Sequence, residues 1–197
     1  MDFSTVDEAV TGAVEHGVFP GAVILVNQAG TVLYRRALGW RSLEPDQTPL
    51  NEETIFDLAS LTKPLATTLA VMILVKEKRL RIDDRVTRFF PNFGVYGKTS
   101  ITFRHLLSHS SGLPAWRPYY QEIVQRETKG GKIGTFGTRS AREFVYTQLQ
   151  REKLEVPPGQ QAIYSDLGFM MLGAVIEKIS DMALDQYCRE KIFRPLG

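Results

Sequence analysis

The stretch from Phe56 to Lys63 reads FDLASLTK and runs directly into a long apolar segment that ends near Glu77. Ser60 is the only serine in the chain that has a lysine three residues on. On a helix, positions i and i+3 lie on the same face, so the hydroxyl and the amine can meet. The stretch therefore predicts a largely buried helix with a serine–lysine pair at its start.

Pro64 helps to place the beginning of this helix. Proline is tolerated in the first turn, where its missing N–H is not needed, so Ser60 is expected at the helix N-terminus. There the helix dipole and the free N–H groups favour developing negative charge. Proline also disfavours helical backbone at the preceding residue, which is Lys63.

The Ser60–Lys63 pair can be interpreted as a catalytic pair or as an ordinary helix start. A serine hydroxyl is a poor nucleophile until a neighbour takes its proton, and a lysine whose pKa is lowered by desolvation or by nearby cations can do so. An isolated Ser-x-x-Lys is more often a plain helix start with a surface lysine, because short motifs match by chance. The apolar helix that follows favours the catalytic pair.

A second polar element, Tyr164-Ser165-Asp166, follows the turn Pro157-Pro158-Gly159. A tyrosine held by a proline–glycine turn just before a helix is fixed by backbone. Near cationic groups the pKa of its phenol can be lowered, and the phenol can relay protons. The ordinary reading is a core tyrosine followed by an Asp cap, and Asp166 is predicted as cap and site residue together.

The remaining pattern predicts a helix and a hairpin followed by a mostly helical block. Ser4 or Thr5 can cap a first helix that Gly17 ends, and Ala29-Gly30 forms the hairpin turn. The predicted strands are Ala22 to Asn27, which reads as buried, and Thr31 to Ala37. The later predicted helices are residues 60–77, Thr102 to Ser108, Ser140 to Arg151, Asp166 to Ile179 and Met182 to Phe193. Residues 39–53 read as a loop, and residues 112–139 read as irregular, either a flap over a site or a solvated insertion.

Composition excludes several classes of protein. The chain has 197 residues, 43% hydrophobic and 23% charged, with a net charge of +2, so neither a disordered acidic tail nor a basic nucleic-acid arm is expected. Cys188 is the single cysteine and is expected to be a buried, inert thiol. The N-terminus lacks the pattern of a signal peptide, and residues 69–75 are too few to span a bilayer. We expect a cytoplasmic protein with no nucleic-acid and no membrane partner.

Several motifs in order resemble the serine β-lactamase-related family, which groups class C β-lactamases, D-Ala-D-Ala carboxypeptidases and β-lactamase-like esterases. They are FDLASLTK at 56–63, HLLSHSSGL at 105–113, and Pro157-Pro158-Gly159 followed by YSDLG at 164–168. The resemblance spans Gly21 to Gly197. It implies an α/β (α+β) fold of the β-lactamase/transpeptidase type, with an antiparallel sheet flanked by helices and a mostly helical block.

The resemblance also implies roles for four residues. Ser60 would be acylated by an amide or ester carbonyl, and its backbone N–H would be half of the oxyanion hole. Lys63 would hold or accept the serine proton, and Tyr164 would pass it to the leaving group and later activate water. Asp166 would bind substrate, although class C β-lactamases carry asparagine there, which argues against strong β-lactamase activity. The expected substrates are small amides or esters (D-amino-acid peptides, muropeptides, simple esters and, weakly, β-lactams), with no cofactor.

The third motif of the family, Lys or His, then Ser or Thr, then Gly, has no match after Tyr164. The sequence therefore predicts the N-terminal portion of a single domain that lacks its C-terminal strands. Its expected parts are residues 1–55 with a helix and hairpin, 56–165 with the active-site motifs, and 166–197 with helices returning to the sheet. An unpaired hairpin edge would invite self-association.

Two other functions remain open from the sequence. A catalytically inactive ligand-binding module on the same fold would explain the missing third motif, although it has no need of Ser60, Lys63 and Tyr164 together. A metal site at His105 and His109, spaced i and i+4, lacks a third ligand, so no metal is expected.

Overall fold

The computed structural model describes residues 1–130 and 137–197, and of residues 126–130 it describes the backbone alone. The chain divides into two compact units, residues 1–58 and residues 59–197.

The first unit contains one helix and a small antiparallel sheet. Its elements are α1 (Ser4–Glu15), β1 (Gly21–Gln28), β2 (Thr31–Ser42) and β3 (Thr48–Pro49), with strand order β1-β2-β3. The turn at Ala29 and Gly30 takes positive φ at both residues, and the Asn27 side chain accepts the Gly30 N–H at 3.0 Å. The hairpin predicted from the sequence is therefore present.

Three details of this unit differ from prediction. Neither Ser4 nor Thr5 caps α1, because the helix begins at Ser4 and the Asp2 carboxylate accepts the Ser4 N–H. The predicted loop 39–53 is partly strand, since β2 runs on to Ser42 and pairs with β3. The predicted burial of β1 is also wrong: none of residues 1–58 is buried, because so small a unit offers little interior.

The second unit is mostly helical. A 3₁₀ turn at Ala59–Leu61, a π-helix at Lys63–Thr68 and α2 (Leu69–Lys76) follow one another in the region predicted as one helix. The later helices are α3 (Phe103–Leu107), α4 (Tyr119–Gly130), α5 (Arg139–Arg151), α6 (Asp166–Ser180), α7 (Leu184–Cys188), a π-helix at Arg189–Phe193 and α8 (Arg194–Leu196). Short 3₁₀ turns lie at Val86–Arg88, Pro91–Gly94 and Lys98–Ser100.

The core of this unit forms where α2 and α6 bury their apolar faces. Leu74 of α2 and Leu172 and Ile176 of α6 have no exposed surface. Cys188 belongs to the same core, as predicted, and burial raises the pKa of its thiol. Removing apolar surface from water is the main stabilising contribution to such a core, so α2 and α6 hold the two ends of the candidate site in a fixed relation.

The prediction that residues 112–139 are irregular is wrong for part of that range. Helix α4 begins at Tyr119, directly after Pro118, and buries Tyr119 and Ile123 one turn apart. The apolar pattern is short, and the glycines at 130–137 that follow it favoured an irregular segment in the prediction. Residues 131–136, which are part of the range read as a possible flap, lie outside the described residues.

Within the described residues, one helical stretch, 59–76, is long and apolar enough to cross a membrane by length and composition alone. Core helices pass the same test. Here Ala70, Val71 and Leu74 of this stretch are buried in the second unit.

Candidate active site

Ser60 lies at a sharp bend in the backbone where the helical stretch begins. Ala59, immediately before it, has φ +43°, a region that residues with a side chain rarely adopt. Pro64 lies in the first turn of a wide π-helix, so its missing N–H removes no hydrogen bond there. Strained backbone and π turns are both enriched at functional sites.

Lys63 is the centre of the cluster. Its Nζ lies 3.3 Å from Ser60 Oγ and 2.7 Å from Asp166 Oδ1. The Tyr164 ring centroid lies 4.9 Å from the same nitrogen. The structure therefore brings together the four residues predicted from sequence, although they come from two segments about 100 residues apart.

Asp166 is not a helix cap, contrary to prediction. Ser165 caps α6, since its Oγ accepts the Gly168 N–H at 3.2 Å. The same Oγ donates to the Pro114 carbonyl at 2.6 Å. Because Ser165 caps the helix, the Asp166 carboxylate in its first turn is available for Lys63.

The pKa of Lys63 is raised above its ordinary value. Partial burial works to lower this pKa, but hydrogen bonds to Asp166 and Tyr164 outweigh it. The lowered lysine pKa considered from the sequence is therefore wrong, because that reasoning lacked the carboxylate at 2.7 Å. Lys63 carries a fixed positive charge at neutral pH.

The pKa of Tyr164 is lowered. Hydrogen bonds with Ser60 and Lys63 are the largest causes, and the Lys63 charge adds to them. The Tyr164 side chain remains 52% exposed, so solvent and a ligand can reach it. Of the four predicted site residues, Tyr164 is thus the one whose lowered pKa and exposure best suit it to exchange protons.

His109 is a site residue that sequence reasoning considered only as a metal ligand. Its ring packs against Tyr164, with ring centroids 4.5 Å apart, and against Phe169 at 5.0 Å. The aromatic ring of Phe169, on α6, also lies 5.8 Å from Lys63 Nζ. The motif at 105–113 indicated that this segment belongs to the family pattern. No feature of the sequence predicts that His109 contacts Tyr164, which lies 55 residues later.

His105 does not join His109 in a cluster of ligands. It completes the predicted cap of α3, where Thr102 Oγ1 accepts the His105 N–H and the Thr102 N–H donates to His105 Nδ1 at 3.2 Å. No group of three or more His, Cys, Asp or Glu side chains that could hold a metal comes together within residues 1–130 and 137–197.

Comparison with known proteins gives a consistent result. The Beta-lactamase family model matches residues 6–197. Among curated proteins, the chain is similar to the "Putative D-alanyl-D-alanine carboxypeptidase" of Escherichia coli (strain K12), at 32% identity over 192 residues, covering 91% of this chain and 42% of that protein.

Two solved structures are similar over nearly the whole chain. The octameric penicillin-binding protein homologue from Pyrococcus abyssi has a TM-score of 0.79 and 30% identity, covering 100% of this chain and 43% of that one. EstCE1, a hydrolase with promiscuous acyltransferase activity, has a TM-score of 0.77 and 30% identity, covering 98% and 51%. The chain thus spans about half the length of the relatives it matches.

Proposed function

The chain belongs to the Beta-lactamase family, and on that premise we propose that it carries the nucleophile of a serine hydrolase, Ser60, which forms an acyl-enzyme with small amides or esters. The predicted β-lactamase/transpeptidase-like fold is confirmed by the family match and by solved structures at 30% identity. The observation that carries the proposal is the distance of 3.3 Å between Ser60 Oγ and Lys63 Nζ, in a cluster that also holds Tyr164 and Asp166.

Acylation begins with proton transfer from Ser60 to Tyr164. The Ser60 Oγ forms a bond to the substrate carbonyl carbon while its proton moves to the phenolate oxygen of Tyr164. The lowered pKa of Tyr164 increases the phenolate fraction near neutral pH. Electrons of the carbonyl double bond move to its oxygen, toward which the Ser60 backbone N–H would donate.

Lys63 and Asp166 support this transfer electrostatically, and neither takes the serine proton. The Lys63 ammonium stabilises the phenolate and orients the serine hydroxyl, and Asp166 holds the ammonium from the other side at 2.7 Å. Because its pKa is raised, the lysine stays charged over the range in which Tyr164 changes protonation. Tyr164 thus acts as the base, and Lys63 acts as its electrostatic partner.

Completion of the reaction uses the same tyrosine twice. Tyr164 donates its proton to the leaving nitrogen or oxygen as that atom separates from the carbonyl carbon, which leaves the acyl group on Ser60. A water then attacks the acyl carbon and gives one proton to Tyr164, which returns it to Ser60 Oγ as the ester bond breaks. One water is consumed, and an acid and an amine or alcohol are released.

The substrate class follows in part from Asp166. An ionised carboxylate accepts hydrogen bonds but cannot donate one, whereas the asparagine of class C β-lactamases can do both. Here the Asp166 carboxylate forms an ion pair with Lys63 at 2.7 Å. We therefore place D-amino-acid peptides, muropeptides and simple esters ahead of β-lactams whose side-chain amide carbonyl requires a donor.

The test is covalent labelling of the purified chain with a fluorophosphonate and, separately, with a fluorescent penicillin, read by intact mass. We expect one fluorophosphonate adduct, absent in Ser60→Ala and retained in Ser100→Ala, an exposed serine on a 3₁₀ turn. A labelled Ser60→Ala protein would remove Ser60 as the nucleophile. If neither this chain nor a longer one that includes the third family motif is labelled, the inactive binding module becomes the favoured function.

A further inference from the structure

The backbone on both sides of Tyr164 is bound to a single residue, His109. The His109 carbonyl accepts the N–H of Ile163 at 2.8 Å, and the His109 ring atom Nδ1 accepts the N–H of Ser165 at 3.0 Å. Between these two bonds the His109 ring packs on the Tyr164 ring, with centroids 4.5 Å apart. His109 therefore fixes the backbone on both sides of Tyr164 and also contacts one face of its ring.

His109 is itself held in an unusual conformation. Its φ of +55° lies in the left-handed region, which histidine and asparagine enter more often than other residues with a side chain. Phe169 contacts the imidazole at a centroid distance of 5.0 Å. The ring therefore has little freedom to turn away from Tyr164.

The bond from Ser165 to the ring depends on the protonation state of His109. A neutral imidazole can accept at Nδ1, whereas an imidazolium has a hydrogen on both nitrogens and can accept at neither. Protonation would set an N–H against the Ser165 N–H. It would also add a positive charge to the site that holds Lys63.

We propose that His109 is a positioning residue that holds Tyr164 against Ser60 and Lys63 while its ring is neutral, and that releases Tyr164 when the ring is protonated. The groups that face the ring from the packed elements are Lys63 of the π-helix, Asp166 and Phe169 of α6, and the segment 163–165. Only the consequence for catalysis rests on the proposed function, whereas the coupling of His109 to Tyr164 stands apart from it.

The electrostatic surroundings agree with this role. Partial burial and the Lys63 charge lower the pKa of His109, against a smaller opposite effect of Asp166. His109 is therefore neutral at pH 7, and the release belongs to acidic conditions. Tyr164 must also lose its proton to act as a base. Protonation of His109 and protonation of Tyr164 would therefore each reduce activity as the pH falls.

The test measures Tyr164 directly by NMR, with ¹³C-labelled tyrosine and with Tyr164→Phe to assign its signal. His109→Asn keeps an acceptor near the position of Nδ1 and tolerates the positive φ, but it has no titrating ring. His109→Ala removes both the acceptor and the ring. His16→Asn, at an exposed histidine after α1, is the matched control.

We expect the Tyr164 pKa to rise toward its ordinary value of about 10 in His109→Ala, and to rise less in His109→Asn, with no change in His16→Asn. A second readout is hydrogen exchange of the Ser165 amide relative to the Gly168 amide. In the wild type, Ser165 protection should fall as His109 protonates, and in His109→Asn it should not.

Two results would overturn the proposal. One is a Tyr164 pKa that is the same in folded His109→Ala and in the wild type. The other is Ser165 protection that does not follow the titration of His109, a measurement that needs no His109→Ala protein. Neither readout requires turnover, so a failure of Ser60 labelling would count against the hydrolase and not against the coupling.

Discussion

Lys63 and Lys98 both lie in the second unit, and burial acts to lower the pKa of each, but their net pKa shifts are opposite. Lys63 has 16% of its side chain exposed, pairs with Asp166 at 2.7 Å and has a raised pKa. Lys98 is fully buried, donates to the Glu152 carbonyl and lies about 5 Å from the Phe93 and Tyr96 rings.

Burial lowers the pKa of Lys98, because the charge of Glu152 offsets only part of the desolvation. In the part of the chain that the structure describes, no salt bridge to Lys98 is found. The comparison shows that a nearby carboxylate, and not burial alone, decides whether a lysine in this fold keeps its charge. This difference separates a charged site residue from a buried structural one.

The largest effect expected from this comparison is on labelling of Ser60. Lys63→Met removes the cation beside the tyrosine, so we expect the fluorophosphonate labelling rate to fall by about 10²- to 10⁴-fold, the usual range for loss of acid–base assistance. Lys98→Met is the matched control and should label within the same order of magnitude as the wild type. Equal losses in the two variants would remove the distinction between the two lysines.

Asp166→Asn should convert Lys63 toward the behaviour of Lys98. Without the carboxylate, only Tyr164 remains to raise the Lys63 pKa against the effect of burial. The ammonium should therefore lose its proton at lower pH than in the wild type. We expect slower labelling, with a loss on the alkaline side that begins at lower pH. ¹⁵N-lysine NMR would report the Lys63 pKa directly, and an unchanged value would contradict the assigned cause.

Substitution of Lys98 should affect stability more than chemistry. Lys98→Ala leaves a cavity and an unpaired Glu152 carbonyl, so we expect a loss of about 2–4 kcal/mol in the free energy of unfolding. Lys98→Met also leaves that carbonyl unpaired but fills the space with a side chain of similar volume, so it should cost less, about 1–2 kcal/mol. Urea unfolding of the two variants checks this order, and equal losses would argue against the volume explanation.

The smallest expected effect is the opposite response of the two lysines to alkaline pH. Because the folded-state pKa of Lys98 is lowered, its contribution to stability rises with pH from that value to the unfolded value near 10.5. The folded-state pKa of Lys63 is raised, so its contribution is complete below 10.5 and is lost as pH rises through the folded value. Unfolding measured from pH 8 to 11 should show Lys98→Met with a flatter rise than the wild type, and Lys63→Met with a smaller alkaline loss.

The sequence predicts the parts of this molecule that depend on near neighbours. Ser60 and Lys63 are three residues apart on one helical stretch, and Thr102 caps the next helix as its local pattern indicates. The motif at 164–168 gave Tyr164 and Asp166 through family resemblance. These features can be predicted without knowing which distant segments contact each other in the folded protein.

The parts that the sequence did not predict depend on contacts between distant segments. The upward direction of the Lys63 pKa shift is set by Asp166 and Tyr164, and the role proposed for His109 rests on its bonds to residues 163 and 165. Lys98 follows Gly97 in a short segment without apolar periodicity, yet its side chain is fully buried. Helix α4 was not predicted because its apolar pattern is short and is followed by several glycines.

The central claim is that Ser60 is activated by Tyr164 as the base, with Lys63 held as a cation beside it. The most direct measurement is the fluorophosphonate labelling rate of Ser60 as a function of pH in the wild type and in Tyr164→Phe. The account predicts a rate that rises with pH as Tyr164 ionises below its ordinary pKa, and a slow rate without that rise in Tyr164→Phe. A Tyr164→Phe protein that labels at the wild-type rate, with the same pH dependence, would contradict it.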